Sequence, residues 1–138
     1  MINIIVASHG KFAEELVNSS YMIFGEQENV SALGFYPGEG IDDLRKKYER
    51  VLNNSGKNES VILVDLFGGS PFNVAVEMAN KYENIKVCTG VNLGMLLEMY
   101  AYSDEESSQK VIQLVHECGK EAIIIYEEME DDEEEDEL

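Results

Sequence analysis

The sequence predicts an α/β fold in which a parallel, right-handed sheet is covered by helices on both faces. Short apolar runs rich in β-branched residues alternate with stretches of helical periodicity, the links between them are short, and runs such as "SVILVD" at 60–65 are almost continuously apolar. Strands buried on both faces have this composition, and parallel strands require crossover connections. A chain of 138 residues can bury such a core in one domain.

The first half of the chain predicts two strands and two helices. Residues 2–7, "INIIVA", form the first strand, and a helix over about 11–24 follows and is closed by Gly25. Residues 29–35 form the second strand, and apolar residues at helical spacing over 41–52 predict the second helix. The apolar side of the first helix is predicted to comprise Phe12, Ala13, Leu16, Val17, Ile23 and Phe24.

The second half repeats the alternation. Residues 60–65 form the strongest strand, and Pro71 is expected at the favoured first position of a third helix. Residues 85–89 form a fourth strand, and "GVNLGMLLEMYAY" passes through a loop into a fourth helix. "EAIIIY" at 121–126 is a last short strand. It follows a fifth helix whose apolar positions are Val111, Leu114, Val115 and Cys118.

Negative charge is concentrated at the C-terminus. The formal net charge is −18, and residues 127–138 contain ten acids and no Lys or Arg, which leaves −8 for residues 1–126. We therefore predict one domain over 1–126 and a tail over 127–138 that is disordered, because like charges repel and bury no apolar surface. A solubilising tail is favoured over an acidic docking segment. The acidity of the domain argues against nucleic-acid binding.

The two cysteines indicate a reducing compartment. Cys88 and Cys118 stand in apolar contexts, without a CxxC motif or a histidine at metal-binding spacing, and are expected to be reduced core thiols. No metal and no cofactor are predicted. No stretch approaches the roughly 20 apolar residues of a membrane span, and no basic region precedes the first apolar run. The predicted location is the cytoplasm.

In doubly wound α/β folds, sites lie at the carboxyl ends of the strands. Three loops there are candidates: 8–10, 66–70 and 90–94. His9 follows the first strand, and Asp65 ends the third, which can lie beside the first. A carboxylate on one ring nitrogen would fix the tautomer and leave the other nitrogen as a nucleophile. The structural alternatives are a satisfied polar histidine and a carboxylate that caps a loop or joins a salt bridge.

Gly68, Gly69 and Ser70 precede the third helix. Glycines let the backbone approach a ligand closely, and free N–H groups at a helix N-terminus attract an anion, so this loop suits a phosphoryl group on His9. The alternative is a turn followed by a serine N-cap, with Pro71 at the first helical position.

Three segments, "IVASHGKFAEEL", "LVDLFGGSPFNVA" and "GVNLGMLLE", resemble in order and spacing the signature segments of the mannose-family (mannose/fructose/sorbose) enzyme IIA domain of the bacterial phosphoenolpyruvate-dependent sugar phosphotransferase system. The resemblance extends from Met1 to about Tyr126. It implies a phosphotransferase that works through a phosphohistidine. His9 would be phosphorylated and Asp65 would be its hydrogen-bonded partner. The phosphate would be surrounded by Ser8, Gly68, Gly69 and Ser70.

The resemblance also implies partners and details of the fold. The histidine phosphocarrier protein would donate the phosphoryl group, and a IIB component would accept it for the membrane IIC and IID components. The segment 90–93 would complete the wall of the site. The segment 121–126 would form an antiparallel edge strand, which some members exchange across a homodimer. Many members continue into a IIB domain, whereas this chain ends in acids, so a separate IIB polypeptide is expected.

Other classes fit less well. Histidine phosphatases open with Arg-His-Gly, but serine precedes His9 here, and His116 is expected to be an ordinary helix residue. A nucleotide-binding module would need GxGxxG or GxxxxGK[ST] after the first strand, and neither is present. Two alternatives remain open: the phosphoryl donor domain of dihydroxyacetone kinase, against which "GGSPFN" argues, and a regulatory phosphohistidine module that is not coupled to sugar transport.

Overall fold

The computed structural model describes residues 1–56 and 58–128. Four strands and five helices alternate along this part of the chain. The strands are β1 (Asn3–His9), β2 (Val30–Phe35), β3 (Ser60–Val64) and β4 (Ile85–Cys88). The helices are α1 (Phe12–Phe24), α2 (Ile41–Asn54), α3 (Gly69–Lys81), α4 (Leu93–Tyr102) and α5 (Ser108–Glu121).

The four strands form one parallel sheet in the order β2-β1-β3-β4. β1 lies between β2 and β3, so His9 is opposite Phe35 and Ala7 is opposite Val64. Strand order reverses at β1, where the chain first crosses to β2 and later returns to β3. The carboxyl ends of β1 and β3 therefore meet at the position where doubly wound folds place ligands.

The core has two layers, one on each face of the sheet. Ile4, Val6 and Leu63 pack towards α1, α4 and α5, whereas Ile5, Ile62 and Val64 pack towards α2 and α3. Successive strand residues point to opposite faces, which divides the strand residues between the layers. The prediction of an α/β sandwich with helices on both faces is confirmed. Among the described residues, no helix is long and apolar enough to cross a membrane.

The predicted antiparallel edge strand does not form among the described residues of the single chain. Helix α5 continues to Glu121, and residues 123–128 form no regular element. Ile123, Ile124, Ile125 and Tyr126 are each at least 80% exposed. The β-branched composition of "EAIIIY" was a local signal, but a strand also needs the backbone of a neighbouring strand, which sequence composition does not specify.

The apolar side of α1 also differs from its prediction. The buried residues are Ala13, Val17 and Ser20, and the Ser20 hydroxyl hydrogen-bonds that of Tyr100 at 2.8 Å. Phe12, Ile23 and Phe24 are 48%, 62% and 46% exposed. The stripe of helix α1 that faces the core is thus narrower and more polar than its apolar residues indicated.

Cys88 and Cys118 are free thiols, as expected, but they are only partly buried rather than core residues. Burial raises the pKa of both thiols. Of the predicted tail over 127–138, Glu127 and Glu128 are described, and residues 129–138 lie outside the described residues.

Candidate functional site

The His9 imidazole and the Asp65 carboxylate meet at the carboxyl edge of the sheet. β1 ends at His9, and Asp65 follows the last residue of the adjacent β3. The backbone N–H of Asp65 donates to the carbonyl of Ala7 at 3.3 Å, which continues the ladder between the strands by one step. The predicted proximity of these two residues is confirmed.

The carboxylate of Asp65 holds the histidine at two points. Its Oδ2 lies 2.8 Å from the Nδ1 atom of His9 and accepts the backbone N–H of His9 at 3.0 Å. Its Oδ1 accepts the backbone N–H of Leu66 at 3.0 Å. An ionised carboxylate only accepts hydrogen bonds, so Nδ1 carries the proton and Nε2 of the neutral ring holds a free lone pair. The His9 side chain is 47% exposed and that of Asp65 is 14% exposed.

The first turn of α3 touches the imidazole. A Cβ atom on Gly69 would lie 3.1 Å from Cε1 and 3.4 Å from Nε2 of His9. The φ angles of Gly68 and Gly69 are +84° and +79°, a region that side chains disfavour. Glycine at 69 therefore lets the backbone approach the ring this closely, whereas a Cβ on Gly68 would meet no atom within 4 Å, so Gly68 contributes its positive φ and not a close contact.

The N–H groups around this turn have no acceptor in the part of the chain that the structure describes. Gly68 is the N-cap residue, and no side chain caps the helix. The four consecutive N–H groups of residues 67–70 donate to no atom of the described residues. Unpaired N–H groups at a helix N-terminus create a positive potential that binds anions. Gly69, within this turn, lies against the nitrogen atom that Asp65 leaves free.

Ser70 and Pro71 take other positions than the alternative interpretation required. Helix α3 starts at Gly69, so Ser70 is its second residue and Pro71 its third. The proposed serine N-cap with Pro71 at the first helical position is wrong. The Ser70 hydroxyl makes no hydrogen bond to the described residues.

Ser8 is buried beneath the site. It has no exposed surface, and its hydroxyl accepts the backbone N–H of Ala13 at 2.7 Å. Strand alternation turns this side chain away from the face that His9 occupies. Ser8 thus satisfies a free N–H at the start of α1, and the structure does not bring its hydroxyl to the exposed surface of the site.

The third predicted loop adjoins Asp65 through the backbone. The N–H of Val91 donates to the carbonyl of Val64 at 3.0 Å. The side chain of Asn92 caps α4 by accepting the N–H of Met95 at 3.0 Å, and it also donates to the carbonyl of Gly119 at 3.1 Å. This loop therefore supports the end of β3, while its polar side chain is used internally.

A further group of residues, not predicted from the sequence, holds the turn after His9. The N–H of Gly10 donates to the carbonyl of Phe35 at 2.8 Å, and the Tyr36 hydroxyl donates to the carboxylate of Glu14. The bond to Glu14 is the main cause that raises the pKa of Tyr36 to about 12. A Cβ on Gly34 would lie 2.6 Å from the carbonyl oxygen of Gly10. A glycine inside a strand was the available signal for this close approach.

The site is shallow and has an apolar rim. Phe67 is 83% exposed and packs on Phe72 with ring centroids 4.9 Å apart, and Leu66 is 59% exposed. Arg45 on α2 is engaged in ion pairs with Glu77 and Asp42. The arrangement is thus a nucleophilic nitrogen, an orienting carboxylate and backbone N–H groups for an anion, on an open surface that a protein can reach.

Comparison with known proteins agrees with this arrangement. A family model described as "PTS system fructose IIA component" matches residues 3–116. A sorbose-specific EIIA component of Klebsiella pneumoniae is 32% identical over 135 residues, covering 98% of this chain and 99% of the relative. A fructose-specific EIIA component of Bacillus subtilis is 42% identical over 100 residues, covering 72% and 68%.

Longer relatives and solved structures match as well. The mannose-specific EIIAB component of Escherichia coli is 39% identical over 124 residues, which cover 88% of this chain but only 38% of that protein. The crystal structure of a phosphotransferase system component EIIA from Streptococcus agalactiae matches with a TM-score of 0.85 at 33% identity, covering 91% of this chain and 97% of that one. The chain therefore belongs to the mannose-family enzyme IIA components of the sugar phosphotransferase system.

Proposed function

We propose that this chain carries a phosphoryl group on Nε2 of His9, received from the histidine phosphocarrier protein and passed to a IIB component during sugar uptake. The observation that supports this most directly is the 2.8 Å contact between Nδ1 of His9 and Oδ2 of Asp65, which leaves Nε2 free beside the uncapped start of α3. Family membership supports the same chemistry. Within this proposal, the protein acts in the cytoplasm and serves the membrane IIC and IID components indirectly.

The transfer needs one bond to break and one to form. The lone pair of Nε2 attacks the phosphorus of the donor phosphohistidine as the donor N–P bond breaks, and the donor imidazole keeps that electron pair. Because His9 retains its proton on Nδ1, the phosphorylated ring becomes cationic, and the carboxylate of Asp65 at 2.8 Å offsets this charge. The same positive charge makes His9 a good leaving group when the phosphoryl group moves to IIB.

The oxygens of the transferred group need neutralisation rather than covalent catalysis. In this chain the N–H groups of residues 67–70 are placed to supply it, since Arg45 is engaged in ion pairs with Glu77 and Asp42. Gly69 provides the close backbone approach, Gly68 provides the positive φ that forms the turn, and Ser70 brings a hydroxyl that has no acceptor in the described residues. Basic residues of the partner would supply the remaining positive charge. Ser8 acts on the site indirectly, because its hydroxyl orders the start of α1 by accepting the N–H of Ala13.

The open apolar rim suits partners that bind and leave. Leu66 and Phe67 are exposed immediately beyond Asp65, and burying such side chains on a partner would contribute affinity without a deep pocket. A carrier must meet both its donor and its acceptor through the same surface. The rim is therefore proposed as the contact surface for the phosphocarrier protein and for IIB.

A homodimer is proposed from two exposed apolar segments. Met22, Ile23 and Phe24 end α1 with exposures of 88%, 62% and 46%, and the residues of 123–126 are at least 80% exposed. Consecutive apolar side chains exposed in this way are typical of surfaces that a partner covers. A second copy of the chain would cover these segments, and sedimentation of Ile124→Glu against the unmodified protein tests this. A monomeric unmodified protein would contradict it.

The phosphorylation site is tested with the two histidines of the chain. Incubation with phosphoenolpyruvate, enzyme I and the phosphocarrier protein should introduce one phosphate that is acid-labile and alkali-stable. His9→Ala should abolish labelling. His116→Ala is the matched control, because His116 is also exposed, at 55%, but lies on α5. Labelling that persists in His9→Ala and is lost in His116→Ala would refute the assignment.

Onward transfer separates the transport role from its alternatives. Adding purified IIB to the phosphorylated protein should discharge His9 and label IIB. Labelled protein that passes its phosphate to no cognate IIB would favour a regulatory module or a dihydroxyacetone-kinase donor domain instead.

A further inference from the structure

The anion-binding turn at the start of α3 is not held in place from the solvent side. Its N-cap residue is Gly68, and no side chain caps the helix. The N–H groups of residues 67–70 donate to no atom of the described chain. The position of this turn relative to His9 must therefore be set from below, by the residues on which α3 packs.

Tyr48 of α2 makes the buried polar contact with this turn. The side chain has no exposed surface, and its hydroxyl donates to the carbonyl of Pro71 at 2.8 Å. Pro71 is the third residue of α3, so the contact lies within the turn that carries Gly69 and Ser70. The other polar links between α2 and α3 are ion pairs on the surface, Arg45 with Glu77 and Lys81 with Glu49. Such pairs constrain geometry weakly.

The hydroxyl of Tyr48 stays a donor at every pH at which the protein functions. Burial and the negative charge of Asp65 both raise the pKa of Tyr48. Tyr48 packs in the same core cluster as Val64, the last residue of β3 before Asp65. Its ring therefore belongs to the core layer beneath this edge of the sheet, and its hydroxyl bonds the anion-binding turn.

Small movements of this turn matter because its contact with the ring is tight. A Cβ on Gly69 would lie only 3.1 Å from Cε1 of His9, so the backbone already lies against the imidazole. The strength of a hydrogen bond to a transferring oxygen falls steeply with distance and angle, and misplacement by about 1 Å can cost 10²-fold in rate.

From this geometry we infer that Tyr48 is a positioning residue for phosphoryl transfer, which through the carbonyl of Pro71 keeps the N–H groups of Gly69 and Ser70 in register with Nε2 of His9. The inference rests on the proposed function. It assigns a role to a buried residue of α2 that does not itself touch the phosphoryl group.

The test compares Tyr48→Phe with Tyr100→Phe. Both substitutions remove one buried tyrosine hydroxyl and keep the ring. The hydroxyl of Tyr100 bonds Ser20 at 2.8 Å in the other layer of the core, away from the site. The loss of one hydrogen bond should lower stability similarly in both, by an amount that thermal unfolding measures.

Two readouts follow, at a temperature at which circular dichroism shows both variants folded. Tyr48→Phe should slow phosphorylation of His9 by about tenfold and displace the amide NMR signals of Gly69 and Ser70, because the turn loses its anchor. Tyr100→Phe should stay within about twofold of the unmodified rate and leave those signals in place.

The outcomes separate this inference from the proposed function. If the unmodified protein is not phosphorylated on His9, the proposed function fails and the inference fails with it. If it is phosphorylated and Tyr48→Phe matches Tyr100→Phe in rate and amide signals, only the positioning role is refuted. A Tyr48→Phe protein that folds at no temperature would also refute it, by making Tyr48 a stability residue.

Discussion

Replacing Asp65 by asparagine tests the central contact of the site. The carboxylate accepts three hydrogen bonds: Oδ2 takes two from His9 at 2.8 and 3.0 Å, and Oδ1 takes one from Leu66 at 3.0 Å. An amide has one accepting oxygen and one donating nitrogen, so the NH₂ group of the asparagine must face an N–H donor of either His9 or Leu66. No orientation of the asparagine side chain satisfies all three partners.

Each orientation of the amide harms phosphoryl transfer differently. With the amide oxygen towards His9, the ring keeps its tautomer, but the NH₂ group opposes the N–H of Leu66 and the charge that stabilises the cationic ring is lost. With the NH₂ group towards His9, it donates to Nδ1 and shifts the proton to Nε2, which removes the nucleophile. A lost hydrogen bond to a charged group costs about 1.5–3 kcal/mol, or roughly 10- to 100-fold in rate.

The assay is rapid-quench phosphorylation by the phosphocarrier protein, with Asp43→Asn as the matched control. Asp43 also accepts a backbone N–H, that of Gly40 at 2.8 Å, but it lies in the first turn of α2 and does not touch His9. We expect Asp65→Asn to be slowed and Asp43→Asn to match the unmodified protein. Nitrogen NMR of the imidazole distinguishes the two orientations of the asparagine, because only the one with the NH₂ group towards His9 moves the ring proton to Nε2. Equal rates in the two variants would refute the orienting role of Asp65.

Three further predictions concern the turn at Gly69, the exposed rim residue Phe67 and the hydrogen bond between Tyr36 and Glu14. Gly69→Ala should slow phosphorylation more than Gly25→Ala. Both positions have positive φ, at +79° and +90°, so each alanine costs about 1–2 kcal/mol of stability, but only the new methyl group at 69 meets His9, and equal rates would contradict the close approach. Phe67→Ala should raise KM for the phosphocarrier protein with little change in thermal stability, because Phe67 is 83% exposed; Leu114→Ala on α5 is the control, and an unchanged KM would remove Phe67 from the docking surface. The bond to Glu14 raises the pKa of Tyr36 to about 12, so the stability that this bond gives the fold is complete below pH 10, the ordinary pKa of tyrosine, and is lost as pH rises through 12. Ultraviolet difference titration against Tyr36→Phe should show a lower titration midpoint of Tyr36 in Glu14→Gln, and an unchanged midpoint would exclude Glu14 as the cause.

The fold was predictable where the signals are local. Apolar runs and helical periodicity identify the four strands and five helices in their order, because each element must present apolar side chains at its own period. The C-terminal segment shows the limit of such signals. "EAIIIY" has strand composition, but within residues 1–56 and 58–128 no strand pairs with its residues from Ile123 onwards, and its first residue, Glu121, ends α5.

The site was predictable in outline because parallel strands share one carboxyl edge. His9 and Asp65 were expected together from the ends of the first and third strands, and they lie 2.8 Å apart. Ser8 was different: one step of strand alternation turns it inwards to Ala13. Tyr48 could not be predicted at all, since a tyrosine at helical spacing looks like any core aromatic until its hydroxyl is seen on Pro71.

The α/β class, the order of the elements and the pair of strand ends that hold the chemistry follow from the sequence, because periodicity and the ends of the apolar runs specify them. Three features of the site required the folded chain: both hydrogen bonds from His9 converge on one oxygen of Asp65, Gly69 lies against the ring, and the N–H groups of residues 67–70 meet no acceptor among the described residues. Those features depend on how α3 packs on α2 and on the register of β1 with β3. Both are contacts between segments that are far apart in the sequence, and local composition does not specify them.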